Sequence, residues 1–238
     1  MASQPMAQLV QLPNFRSLPN QTTPKIFRSG ALSEVTPAGQ QELRDRDIAC
    51  VVDLREPYEI ADAPDCIDEF TYVNVPLYRG QVPLAAAIDD VYRLLLIDRG
   101  NQIAAAVQTI CDYVDCGVVV HCKAGKDRTG LVVALLMATV GVSTEAITAD
   151  YAQSAENLSP AYRRQMTRQL ETQLAGDPTG FKTAMQLHMA SPGAALQRAL
   201  ELVDVKYGSA KQYLAAHGVT GAQFATLEMH FGVRSHVS

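Results

Sequence analysis

The chain has 238 residues, 47% hydrophobic and 19% charged, the composition of a folded globular protein rather than of a disordered tail. A net charge of -5 and a pI near 5.5 argue against a nucleic-acid partner, so any positive potential must be local. Tryptophan is absent and aromatic residues make up only 6%, which leaves Val, Leu, Ile and Ala to fill the core of what reads as one domain over 1–238.

Residues 1–25 hold Pro5, Pro13, Pro19 and Pro24 among Gln, Asn and Thr, which reads as an irregular segment wrapping the domain, anchored by Asn14-Phe15-Arg16. Ile26-Phe27-Arg28 reads as a short strand ending at Ser29-Gly30. Arg28 suits a structural ion pair, with Asp53 as the partner in view, better than a contact to substrate or to a catalytic loop. Thr36-Pro37 caps a helix through about Arg46, with proline where its missing N–H costs nothing. The apolar run from Ile48 to Leu54 then reads as a strand covered on both faces. Helix followed by buried strand predicts an α/β fold with a mostly parallel central sheet flanked by helices. Asp53-Leu54-Arg55-Glu56 falls at the C-terminal edge of that strand, where open α/β sheets bind ligands. Asp53 is expected to organise a loop there rather than to carry a proton.

The acidic stretch Tyr58 to Glu69, with Pro57 and Pro64, reads as a surface loop, and Phe70 to Leu77 as the next strand. A helical pattern runs from Val82-Pro83-Leu84 through Ile97 and ends at Asp98-Arg99-Gly100-Asn101, and a second helix covers Gln102 to Tyr113. These roughly 40 residues exceed what one crossover helix needs, so the surplus is where a lid or an acid-bearing loop would sit.

The chain then reads Val118-Val119-Val120-His121-Cys122-Lys123-Ala124-Gly125-Lys126-Asp127-Arg128-Thr129-Gly130-Leu131. An apolar strand ends at a cysteine, a short loop follows, and an arginine opens an apolar helix. The residues between Cys122 and Arg128 can curl into a cradle of inward-pointing amides, a nest for an anion. The first turn of the helix adds free N–H groups and the positive end of its dipole. Phosphate fits this site, held by Lys123, Ala124, Gly125, Lys126, Asp127 and the planar fork of Arg128. The same field favours a thiolate at Cys122, since cations and helix N-termini lower a free thiol from about 8.5 by one to several units. A thiolate about 3 Å from a bound phosphorus is a nucleophile for in-line displacement. Thr129 is expected to donate its hydroxyl to the sulfur, and His121 to order the loop.

His-Cys-x5-Arg-Thr is the signature of cysteine-dependent tyrosine phosphatases. The string from His121 to Gly130 resembles a mostly microbial subgroup that acts on phosphotyrosine and phosphoinositides. The resemblance takes in Phe27-Arg28-Ser29-Gly30-Ala31-Leu32 and Val51-Val52-Asp53-Leu54-Arg55, and more loosely Asp150-Tyr151 and the final helical segment. It implies a phosphomonoesterase with no metal or other cofactor, acting on a phosphorylated protein or a phosphoinositide. It also implies Asp127 as general acid and Lys126 as an additional phosphate ligand. Such enzymes often carry the acid on an upstream loop, so Asp98, Asp89 and Asp90 remain alternatives to Asp127. An inositol-phosphate phosphatase of the phytase type, a phosphate-binding module without turnover and a sulfurtransferase share parts of this chemistry. Thiosulfate turnover, or a missing phosphate burst, would separate the last two.

The all-round apolar pattern from Leu131 to Ala138 predicts a buried helix that holds the loop rigid. Ser143-Thr144-Glu145 opens the next helix, whose Asp150-Tyr151 reads as core and helix-capping. The part from 160 to 238 reads as helices packed on the core, covering Ala161 to Leu174, Gly180 to Met189, Ala194 to Val203, Ser209 to His217 and Thr220 to Phe231. Arg163, Arg164 and Arg168 share a face there, read as solvated. Cys50, Cys66, Cys111, Cys116 and Cys122 show neither zinc spacing nor a disulfide framework, which fits a reducing, cytoplasmic setting. No secretory signal is visible, though export without a cleaved signal stays open. The longest apolar run, about 12 residues, is too short to span a bilayer.

Overall fold

The computed structural model describes residues 12–233. The strands β1 (Arg16–Ser17), β2 (Ile26–Ser29), β3 (Cys50–Asp53), β4 (Thr71–Asn74) and β5 (Val118–His121) form one sheet in the order β1-β2-β5-β3-β4. Only β1 runs antiparallel to its neighbour; the other pairings are parallel. Every residue of β2, β3 and β5 is buried, as the unbroken apolar runs require. Alternate side chains serve opposite faces: Ile26, Val52, Val118 and Val120 join the larger core, while Phe27, Val51 and Val119 join Leu32, Leu43 and Ile67 on the other side.

Helices cover both faces. They are α1 (Pro37–Asp45), α2 (Pro57–Asp62), α3 (Ile88–Asp98), α4 (Gly100–Tyr113), α5 (Asp127–Thr139), α6 (Thr144–Glu156), α7 (Pro160–Gln173), α8 (Pro178–Met189), α9 (Gly193–Tyr207), α10 (Ala210–Ala216) and α11 (Gly221–His230). Their starts follow the sequence punctuation. Thr36, Ser143, Ser159, Asp177, Ser209 and Thr220 each accept a hydrogen bond from an amide of the first turn, and Pro37, Pro160 and Pro178 open their helices. α5 is buried from Arg128 to Met137, so the element after the cysteine loop is enclosed on every side.

Several expectations change. The stretch from Tyr58 is not all surface loop: α2 occupies 57–62, because Pro57 sits at a helix start, where proline is tolerated, instead of breaking a chain. The helix expected from Val82 begins at Ile88, and Gln81 to Leu84 instead line a cavity beside the loop after β5. The irregular N-terminal segment contains β1, with residues 1–11 outside the described part. Arg28 does not meet Asp53; its partner is Asp150, at 2.5 Å.

The topology sets the position of the site. β5 lies between β2 and β3, with His121 in register with both Ser29 and Asp53. Cys122 therefore leaves the sheet at its centre, at the carboxyl edge, flanked by the turns after β2 and β3.

Candidate active site

Three consecutive carbonyls of the loop after β5 are taken by two other segments, β2 with the turn that follows it and the stretch before β1. Lys123 O accepts from Ala31 N at 3.1 Å, Ala124 O from Asn14 Nδ2 at 2.9 Å, and Gly125 O from Arg28 Nη2 at 2.8 Å. In a trans peptide the N–H points away from its C=O, so the amides of Ala124, Gly125 and Lys126 face the opposite side, forming the anion nest. Gly125 adopts φ +68, and a Cβ there would lie 2.3 Å from Ser29 O, so the turn requires glycine. Asn14 is buried and also bonds Ser154 O, while Arg16 and Arg28 both pair with Asp150. The N-terminal segment and α6 thus brace the loop from behind.

Cys122 sits at the bottom of a cavity of about 430 Å³ and is 2% exposed. Burial alone would push its thiol up, but the Arg128 guanidinium and hydrogen bonds from the side chain and amide of Thr129 outweigh it and hold the thiol below its ordinary value. The Thr129 hydroxyl is buried and finds no other partner. Cys50 and Cys111, buried without such neighbours, are pushed up to about 11 and about 12, so burial by itself does not make a reactive thiol. Arg128 is held by a fork: Nη1 and Nη2 donate to Glu59 Oε2 and Oε1 at 2.5 and 2.8 Å, and the guanidinium lies 5.3 Å from the Tyr78 ring centroid. Against the cost of burial, Glu59 holds Arg128 firmly charged, and Arg128 in turn keeps the Glu59 carboxyl below its usual range.

Asp127 lines the same cavity. Its Oδ1 accepts from Lys126 Nζ at 2.7 Å and from Tyr92 Oη at 3.0 Å. Lys126 is fully buried, and its Nζ also donates to Leu187 O of α8 at 2.7 Å. Asp89, Asp90 and Asp98 lie exposed on α3 and do not line the cavity; Asp89 pairs with Arg198.

The family model described as "Tyrosine phosphatase family" matches residues 7–232. The chain belongs to this family. The triple specificity protein phosphatase PtpB of Mycobacterium tuberculosis is 28% identical, over 88% of this chain and 92% of PtpB. A tyrosine-protein phosphatase of Nostoc commune is 26% identical, over 86% of this chain and 73% of that protein. The core catalytic domain of the PP-IP phosphatase SIW14 from S. cerevisiae superimposes with a TM-score of 0.41 at 15% identity, covering 71% of this chain and 98% of that one.

In this tyrosine phosphatase two of the predicted supporting residues, Asp53 and His121, belong to a buried charge cluster at the ends of β3 and β5. Asp53 accepts from Arg55 Nη2 at 2.7 Å and from the Tyr72 hydroxyl at 2.6 Å, and His121 Nε2 lies 3.1 Å from Asp65 Oδ2. Burial opposes ionisation of Asp53, but His121 and Arg55 overcome it and bring its carboxyl down to about 2. Burial would likewise lower His121, yet Asp53 and Asp65 raise it. Asp53, Asp65 and His121 offer three ligand atoms within 4.8 Å of one another. Arg55 already donates to both carboxylates, so their charge is met by a guanidinium, a poor setting for a metal ion.

Sequence reasoning missed Glu59, Asp65 and Tyr92. Glu59 and Tyr92 reach Arg128 and Asp127 from distant segments and Asp65 reaches His121 at the end of β5, and only the Glu56-x-x-Glu59 helix-start spacing could have drawn attention to Glu59. Glu59 Oε2 accepts from the Glu56 amide at 2.9 Å, so the residue that caps α2 also clamps the arginine.

Proposed function

We propose that this phosphatase hydrolyses protein phosphotyrosine through a cysteinyl-phosphate, and that phosphoinositide headgroups are accepted at the same loop. The Cys122 thiolate attacks phosphorus and forms an S–P bond as the P–O bond to the leaving group breaks. Asp127 gives its proton to the leaving oxygen. Water then attacks the phosphorus, Asp127 takes back a proton, and the S–P bond breaks to return the thiolate. Charge on the equatorial oxygens is met by the loop amides and Arg128. Lys126, tied to Asp127 and Leu187, adds positive charge beside the loop, and His121, Thr129 and Asp53 hold its shape.

The observation that carries this reading is the thiol held below its ordinary value beneath a fork-clamped arginine, in a cradle whose carbonyls are all tied outward. The lining of the cavity supports phosphotyrosine: Tyr58, Tyr78, Tyr162, Met166 and Leu187 form walls that suit an aromatic ring standing above the loop. Lys123, on the same wall, is a cation for a second phosphate and supports the phosphoinositide arm.

The reading extends to one phosphatase domain over 1–238 acting in the cytoplasm. It is supported by five free cysteines, suited to a reducing compartment. Among the described residues no helix is long and apolar enough to cross a membrane.

Cys122→Ser is expected to abolish turnover while phosphate still binds; substantial turnover by that variant refutes the assignment. Comparing kcat/KM for phosphotyrosine peptides, phosphoserine peptides and phosphoinositide headgroups tests the substrate class. A preference for phosphoserine would contradict a pocket built for a long, flat side chain.

A further inference from the structure

Tyr92 lies on α3 with its ring buried in the larger hydrophobic core, a place that phenylalanine would fill equally well. Its hydroxyl is therefore the informative part. It donates to Asp127 Oδ1 at 3.0 Å and makes a very short contact with the Tyr151 hydroxyl of α6. A phenol has one proton to give. With the Tyr92 proton directed at the carboxylate, the Tyr151 hydroxyl must be the donor to Tyr92. The two rings meet edge to face, with centroids 6.4 Å apart, and each residue is 1% exposed. A buried hydroxyl chain thus runs from α6 through α3 to the first turn of α5 and ends on one carboxyl oxygen, where Lys126 Nζ arrives from the other side at 2.7 Å.

Both donors converge on Oδ1. That leaves Oδ2 for the proton, on a side chain that is 18% exposed and lines the cavity. We propose that Tyr92, backed by Tyr151, is a positioning residue that fixes the Asp127 carboxyl so that Oδ2 exchanges protons with the leaving group and with water. The inference rests on the reading of Asp127 as the general acid. No proton passes through Tyr92. Its hydroxyl holds the rotamer and stabilises the carboxylate left behind when the proton departs. Tyrosine serves where lysine alone would not, because a phenol on a rigid ring fixes a direction while an ammonium on a flexible stem supplies charge. Asp127 shares the cavity wall with Cys122 and Tyr78, with Tyr162 of α7 and with His188 of α8, none of which a change at Tyr92 removes.

The test is Tyr92→Phe, assayed on phenyl phosphate, whose leaving group needs a proton, and on p-nitrophenyl phosphate, whose leaving group does not. The expected result is a loss of roughly tenfold in kcat/KM on phenyl phosphate and less than about twofold on p-nitrophenyl phosphate. In an Asp127→Asn background the same change should cost nothing further. Tyr151→Phe, which leaves the Tyr92 contact in place, should act in the same direction but more weakly, and it repeats the test if Tyr92→Phe folds poorly. Equal losses on the two substrates, or an undiminished loss in the Asp127→Asn background, would overturn the proposal. If Asp127→Asn itself fails to discriminate the two substrates, the acid assignment falls and takes the proposal with it. If Asp127→Asn discriminates and Tyr92→Phe does not, only the proposal falls.

Discussion

The loop at the base of the cavity and the helix pair α7–α8 above it are held in different ways. Each of the three carbonyls from Lys123 to Gly125 is fastened, two by β2 and its following turn and one by Asn14, and the helix that follows is buried all round. By contrast, Met166, Leu170 and Ala184 of α7 and α8 form a separate small hydrophobic cluster outside the main core. Polar ties at the site side of that pair run through Leu187 O, which accepts from Lys126, and through His188 Nε2, 2.9 Å from Leu84 O. Arg163 of α7 turns back onto Leu158 O and Ala155 O, while Arg164 and Arg168 stay exposed. The base, over-determined from every side, is where preorganised chemistry belongs. The roof, with polar ties at a few points, lines the cavity with Tyr162, Met166, Leu187 and His188.

The sharpest way to break this contrast is in the base. Arg128→Lys keeps the charge but loses the fork, and kcat should fall by at least about a hundredfold, because a single ammonium cannot meet two phosphoryl oxygens and Glu59 together. Steady-state kinetics with p-nitrophenyl phosphate checks this; a loss below tenfold would mean the guanidinium geometry is not used. Glu59→Gln leaves Arg128 in place with a weaker holder, so kcat should drop roughly tenfold with little change in phosphate inhibition.

Why the loop was legible and its clamp was not follows from chain distance. His121 to Gly130 carry the nucleophile, the nest and the helix start in consecutive residues, so pattern and chemistry coincide. Glu59 meets Arg128 across 69 positions, and Arg28 meets Asp150 across 122, separations at which only the fold decides the partner. Arg28 was expected to make an ion pair or to touch the loop, and it does both, with Asp150 and Gly125 O. Pro57 misled because proline reads as a breaker yet opens α2, and Glu59 was hidden inside that misread stretch. Sheet, parallel pairing and most helix starts were readable because buried strands are unbroken apolar runs and the caps are local.

Beneath the loop, the contrast sharpens into a stability prediction. Asp53 has its carboxyl lowered to about 2 in the fold from an ordinary 3.8, so its ionised form stabilises the protein above about pH 4. That contribution, on the order of 2 kcal/mol, should fade as pH falls toward 2. Denaturant unfolding of Asp53→Asn should show a deficit of that size at neutral pH that shrinks in acid. His121, raised in the fold, has the opposite sign: its contribution is complete in acid and is lost as pH rises through its folded value.

The smallest effect belongs to the roof. His188→Ala removes the tie to Leu84 O and should raise KM for a phosphotyrosine peptide a few-fold, with kcat within about twofold. A loss confined to kcat would place the roof in the chemistry and erase the contrast.

The central claim is covalent: the phosphoryl group visits Cys122. Mixing enzyme with p-nitrophenyl phosphate, quenching in acid within one turnover and mapping peptides by mass spectrometry tests it directly. The account predicts a phosphate adduct on the peptide containing Cys122 that forms with the burst of nitrophenol and decays as inorganic phosphate appears. A nitrophenol burst with no adduct there, or with the phosphate on another side chain, would contradict it.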